Sequence, residues 1–204
     1  MRVNKKKFIY LISPNKIYKK FFKDLQKVLE TGKISFFQLR LKKYSFKHKI
    51  LIGQKIKNIC KKNKVKFLIN DDPILAKRLG ADGCHLGQKD MNIKEARKII
   101  GKKIIGITCH NSITLAKIAI KAKASYLAFG AFYSSKTKKT KYAANIKILN
   151  KIKKITKTPV VAIGGINSEN YKKLLLNNAN FLAISGYIWN NKKYKPLEAL
   201  KRLK

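Results

Sequence analysis

Nine acidic side chains stand against 49 lysines and arginines in this chain of 204 residues, so the placement of the acids is informative. Three of them, Asp71, Asp72 and Asp90, fall just after short apolar runs that read as strands. Adjacent strands of a sheet lie about 5 Å apart, so two carboxylates at neighbouring strand exits reach one cation. Mg2+ suits such a place, because it takes one or two carboxylates and completes its shell with water and phosphate oxygens. Asp72 is followed by Pro73, the pattern of a helix cap and a first helical residue, which makes Asp71 the better ligand of that pair.

Polar groups gather at other strand exits. In Gln38-Leu39-Arg40-Leu41-Lys42 the two-residue period of a strand aims Gln38, Arg40 and Lys42 to one side. Two cations and an amide suit a pyrophosphate, although in so lysine-rich a chain solvated surface charge explains them as well. The stretch Ser134 to Lys141 is long, unpatterned and rich in hydroxyls and lysines. It reads as a phosphate-gripping lid or as an ordinary exposed loop. Gly164-Gly165-Ile166-Asn167 and Ser185-Gly186 end two further runs, where glycines let backbone N–H groups approach a phosphate. Asp82, by contrast, precedes its run and belongs to the opposite end.

The elements that must position these groups follow a regular rhythm. Eight apolar runs, Phe8–Ser13, Ile34–Arg40, Lys66–Asp71, Gly83–Leu86, Ile104–Cys109, Tyr126–Phe132, Val160–Gly165 and Phe181–Gly186, alternate with amphipathic stretches. Near-continuous apolar character marks strands buried on both faces, as in parallel sheets. Ile17, Phe21, Leu25, Val28 and Leu29 share one helical face, with Gly32 as a stop. Asp72-Pro73 opens a helix that Gly80 ends, and Asn167 or Ser168 caps one through Tyr171 and Leu174. With no break in composition, residues 1–204 read as one α/β domain, a single (β/α)8 TIM barrel. A doubly wound open sheet fits less well, since the first turn is Ser13-Pro14-Asn15-Lys16 rather than a GxGxxG loop.

In this fold chemistry sits at the carboxyl ends of the strands, and the loops after the seventh and eighth commonly hold phosphate. The formal net charge of +40 favours anionic partners. Lysine covers nearly every predicted helix, however, which reads as compositional drift, and no nucleic-acid motif accompanies it. No apolar run approaches 18 residues, so a membrane partner is not expected. Cys60, Cys84 and Cys109 form no CxxC pair and suggest reduced thiols in a cytoplasmic protein. Cys109 beside His110 reads as packing rather than as a nucleophile. His85 and His110 read as structural or orienting.

Taken together, the segments resemble the thiamine phosphate synthase family. The matching stretches are Gln38-Leu39-Arg40-x-Lys42, Ile69-Asn70-Asp71-Asp72, Gly80 through Asp90, and Ile105-Gly106-Ile107-Thr108-Cys109-His110. Phe129-Gly130, the Ser135-x-Thr137-Lys138 loop and Val161 through Asn167 follow in family order. The resemblance implies a transferase that joins hydroxymethylpyrimidine diphosphate to a thiazole phosphate, releasing pyrophosphate. It implies Mg2+ held by Asp71 and Asp90, with Gln38, Arg40, Lys42, Asn70, Thr108 and Lys138 around the pyrimidine diphosphate. Ser135, Thr137, Gly165 and Ser185 would hold the thiazole phosphate. Arg40, Lys42, Lys138 and Thr108 carry the catalytic expectation, chiefly by neutralising the departing pyrophosphate.

The chain departs from the family pattern at four places. Leu41 replaces an acid, Asp72 stands where arginine is common, Thr108 replaces serine and Ser135 replaces threonine. The two hydroxyl exchanges keep their chemistry, whereas Asp72 lowers the number of cations at the mouth. A related thiazole tautomerase and a non-catalytic polyanion-binding protein are the rival readings. Asp71, Asp90, Lys42 and Lys138 favour the synthase over the first, since such relatives tend to lose these groups. The partners expected are small phosphorylated molecules, with the number of copies left open, a homo-oligomer included.

Overall fold

Eight parallel strands close on themselves in sequence order, each hydrogen-bonded to the next and the last to the first. The computed structural model describes residues 7–134 and 142–204. The strands are β1 (Ile9–Ile12), β2 (Ile34–Leu39), β3 (Lys66–Asn70), β4 (Gly83–Leu86), β5 (Ile104–His110), β6 (Tyr126–Gly130), β7 (Val160–Ile163) and β8 (Phe181–Ile184). Helices α1 (Phe21–Glu30), α2 (Phe46–Lys62), α3 (Pro73–Leu79), α4 (Ile93–Ile100), α5 (Ile113–Lys121), α6 (Lys147–Lys153), α7 (Tyr171–Leu176), α8 (Gly186–Trp189) and α9 (Pro196–Lys201) follow the strands. The fold is a (β/α)8 barrel, as the rhythm of the sequence predicts.

The two-residue period of each strand sorts its side chains into two cores. Ile9, Leu11, Phe37, Phe67, Cys84, Ile105, Leu127 and Leu182 face outward and join the large core beneath the helices. Tyr10, Ile12, Leu68, Tyr126, Ala128, Val161 and Ala183 face inward, forming a much smaller cluster inside the barrel. All three cysteines are buried and free, with Cys60, Cys84 and Cys109 packed in the outer core.

Local chemistry sets the element ends. Asp72 accepts the Leu75 N–H at 2.8 Å, Pro73 stands at the first turn, and Gly80 closes α3 at φ 58, a left-handed conformation that glycine adopts without strain. Asp72→Ala is expected to cost about 1 kcal/mol, seen as a fall of about 2–4 °C in melting temperature. An unchanged melting point would remove the cap from the account.

Several boundaries differ from expectation. Most runs overshoot their strands by one or two residues, because polar loop residues such as Ser13, Arg40 and Asp71 leave the ladder before the apolar pattern ends. β5 instead extends through His110. α7 begins at Tyr171 rather than just after Asn167 or Ser168. The Asn167 carboxamide caps a preceding turn, accepting from Glu169 N–H at 2.9 Å and Asn170 N–H at 3.2 Å. Asp82 does lie at the amino end of the barrel, paired with Lys66 at 2.9 Å and accepting the Phe67 N–H at 2.8 Å.

Candidate active site

Asp71 directly follows β3, held at φ 65 with its N–H donating to the His85 carbonyl at 2.7 Å. Asp lies among the residues that tolerate this left-handed region, and the turn swings the carboxylate toward β4. Asp90 lies in the short loop after β4, its Oδ2 accepting the Gly87 N–H at 2.7 Å. The two carboxyl groups line the same cavity on one rim, near enough for each to shift the other's titration. Lys42 closes the group, its ammonium 2.9 Å from Asp71 Oδ2.

The electrostatics of the pair are asymmetric. Burial pushes the Asp71 carboxyl up, but the hydrogen bonds from Lys42 and Asp90 outweigh it and hold the group below its ordinary value. Asp90 is raised, by burial and by the Asp71 carboxylate beside it, against the opposing Gly87 N–H. Two neighbouring carboxylates form a donor set that a divalent cation fits, since one ion satisfies both charges at once. A cavity of about 500 Å3 opens here, with Lys42, Asn70, Asp71 and Asp90 in its wall and Leu39 and Ile69 below.

The other expected residues are distributed around the same end of the barrel. Arg40 follows β2, and its guanidinium donates to Asn15 Oδ1 at 2.7 Å, in the loop after β1. Its backbone N–H donates to Ser13 Oγ at 2.9 Å. Ser185, after β8, donates to the Ser13 carbonyl at 3.0 Å, so the exits of β8, β1 and β2 are stitched side by side. Gly165 stands at φ 61 with the Ser134 carbonyl so close that a Cβ would lie 2.3 Å from it. The glycine there lets the loop after β6 run across the end of β7. Ser135, Thr137 and Lys138 lie outside the described residues.

Gln38 and Thr108 turn inward from β2 and β5. Gln38 is 3% exposed, and its amide nitrogen donates to the Tyr10 hydroxyl at 2.7 Å. Thr108 Oγ1 lies 2.8 Å from His85 Nε2. Between them sit Tyr10 and Tyr126, whose hydroxyls are 2.7 Å apart, and Tyr126 is 2.9 Å from His85 Nδ1. Sequence reading passed over both tyrosines. The signal was a phenol at an inward register position in β1 and β6, with Gly106 across from Tyr126 in β5.

His85 stacks on Tyr126 at a centroid distance of 5.6 Å. Burial holds its imidazole down to about 4, against a smaller upward pull from Asp71. An unfolded histidine titrates near 6.5. Protons therefore bind the unfolded chain first, and this group costs no stability above pH 6.5. As pH falls from there to about 4, the fold should lose up to about 3 kcal/mol on its account. Urea unfolding of wild type and His85→Gln across that window measures it, and parallel profiles would refute it. Cys109 is buried, with its thiol pushed up to about 12 by burial. Cys109→Ala should keep activity within about twofold at a cost near 1 kcal/mol; inactivation without unfolding would revive a thiol mechanism.

The barrel carries the acidic pair and the cations beside it at the carboxyl ends of the strands, the end at which (β/α)8-barrel enzymes place their chemistry. A family model described as thiamine monophosphate synthase matches residues 9–188. The thiamine-phosphate synthase of Pelagibacter ubique strain HTCC1062 is 69% identical, with both chains covered fully. That of Erythrobacter litoralis is 39% identical over 94% of this chain and 92% of its own. Among solved structures, thiamine phosphate pyrophosphorylase from Pyrococcus furiosus superposes with a TM-score of 0.85 at 26% identity, covering 97% of this chain and 94% of that one. The chain belongs to the thiamine monophosphate synthase family and is an enzyme of the transferase class. No helix among the described residues is long and apolar enough to cross a membrane.

Proposed function

We propose that the chain joins hydroxymethylpyrimidine diphosphate to hydroxyethylthiazole phosphate, giving thiamine phosphate and pyrophosphate, with Mg2+ held by Asp71 and Asp90. The observation that carries the reading is the carboxylate pair with Lys42 bridging to it on the strand-exit rim. When bound, Mg2+ supplies positive charge for the diphosphate. Lys42 and Arg40 stand beside the same rim and offset the charge that grows on the departing oxygen, as Lys138 is expected to do.

The bond from the pyrimidine methylene to the diphosphate oxygen breaks first, taking its electron pair with the leaving group. The aminopyrimidine ring spreads the resulting positive charge. The thiazole nitrogen then donates its lone pair to the methylene carbon, so no protein nucleophile and no net proton transfer are required. The residues of the chain bind, orient and exclude water. Gly165 and Ser185, with Ser135 and Thr137, would grip the thiazole phosphate beside them. Both substrates are charged phosphates that cross membranes poorly, which goes with a cytoplasmic setting.

The test incubates purified protein with both substrates, with Mg2+ and with EDTA, and follows pyrophosphate and thiamine phosphate together. Equal amounts of both products, lost on chelation, are expected. Thiazole isomerisation without pyrophosphate, or coupling that survives EDTA, would overturn the proposal.

A further inference from the structure

The barrel interior holds five polar groups in one continuous run, Gln38, Tyr10, Tyr126, His85 and Thr108, contributed by β2, β1, β6, β4 and β5. Every spacing lies between 2.7 and 2.9 Å. Buried hydroxyls need an acceptor for each hydrogen, and water does not reach the middle of this run, because Tyr10 is 1% and Tyr126 3% exposed. Neither hydroxyl is left without a partner. The proton positions can therefore be worked out by counting.

Gln38 Nε2–H points at the Tyr10 oxygen. Tyr10 then has to donate to Tyr126, and Tyr126 to His85 Nδ1. That nitrogen must be bare, so the imidazole carries its hydrogen on Nε2 and donates it to Thr108 Oγ1. If both ring nitrogens were protonated, Tyr126 would have to donate back to Tyr10, and the Tyr10 hydrogen would have nowhere to go. With its oxygen occupied by His85, Thr108 has one hydrogen left to offer, toward the mouth of the barrel.

We propose that Tyr10, Tyr126 and His85 are positioning residues that fix the direction of this hydrogen-bond run, so that Thr108 meets the diphosphate substrate as a hydrogen-bond donor. The inference rests on the assignment of Thr108 to that substrate, and it adds three residues that set its polarity without touching the ligand themselves. An anionic diphosphate accepts hydrogen bonds and donates none, so a hydroxyl locked as a donor serves it in every encounter. A freely rotating hydroxyl would spend part of its time presenting a lone pair to the anion. Turning the Gln38 amide by half a revolution would reverse every bond and make Thr108 an acceptor.

Two measurements on the full-length protein test this. The first is nitrogen-15 NMR of the imidazoles, with His85 assigned by difference against His85→Gln. Wild type should show hydrogen on Nε2 and a bare Nδ1, and Tyr126→Phe should lose that preference. Hydrogen on Nδ1 in wild type overturns the proposal whatever the activity proves to be, so its failure is distinguishable from failure of the coupling assay. The second is a double-mutant cycle in the coupling assay. Tyr126→Phe and Thr108→Val should each lower kcat/KM for the pyrimidine diphosphate about tenfold, with KM for the thiazole phosphate unchanged. The double variant should be no worse than Thr108→Val alone. Losses that multiply, or full activity in Tyr126→Phe, overturn it. Should Tyr126→Phe fold poorly, the wild-type imidazole reading still decides, since hydrogen on Nδ1 overturns the proposal without any variant.

Discussion

Asp90→Asn is expected to lower turnover by at least about a hundredfold while the melting temperature stays within a few degrees of wild type. The asparagine keeps an oxygen that can accept the Gly87 N–H, so the loop after β4 retains its internal bond. What disappears is one of two negative charges on the rim, and with it much of the hold on a divalent cation. Asp71→Asn should have the same effect on turnover, since asparagine also tolerates the left-handed backbone at φ 65. It additionally releases Lys42 from its ion pair. Asp82→Asn is the control, for Asp82 serves Lys66 and Phe67 at the far end of the barrel. It should alter stability and leave turnover alone. Near-normal rates for Asp90→Asn at saturating Mg2+ would remove the acid pair from the reaction.

The second large effect concerns a residue with no side chain. Gly106→Ala is expected to destabilise the fold by about 2–4 kcal/mol, a drop of roughly 5–15 °C in melting temperature, and to impair coupling as well. A Cβ at position 106 would lie 1.8 Å from Cζ of Tyr126 and 2.3 Å from its hydroxyl. The ring has little room to retreat, because it is packed on His85 and edge-on to Tyr10. Displacing it strands buried hydroxyls as well as overfilling the interior. Thermal melts with the coupling assay on the surviving fold measure both parts. An alanine variant as stable as wild type would mean that Tyr126 relocates freely.

Much of this architecture is legible in residue order. The caps of α3 are local events, in which Asp72, Pro73 and Gly80 act on their own backbone, and the sequence names them correctly. The placement of Asp71 and Asp90 on one rim follows from strand order alone. Less was legible where partners are distant in sequence. Tyr10 and Tyr126 are separated by 116 positions, and nothing near either one says that their hydroxyls meet. Arg40 reads as a diphosphate grip or as solvated surface charge, and nothing in its own segment says that its guanidinium is tied to Asn15 at the neighbouring strand exit. Gly165 reads as a phosphate-approach glycine, and the structure adds a loop backbone that also demands it. Such features depend on how loops converge, and period and propensity carry no record of that.

The division of the barrel into a broad apolar shell and a narrow lumen threaded by polar groups has a consequence for how such a chain can change. The larger of the two cores lies between the strands and their surrounding helices. A change in the lumen is felt first along the run of hydrogen bonds that its side chains share. At Gly106 it is felt by the packing in the same stroke, since a Cβ there would meet the Tyr126 ring.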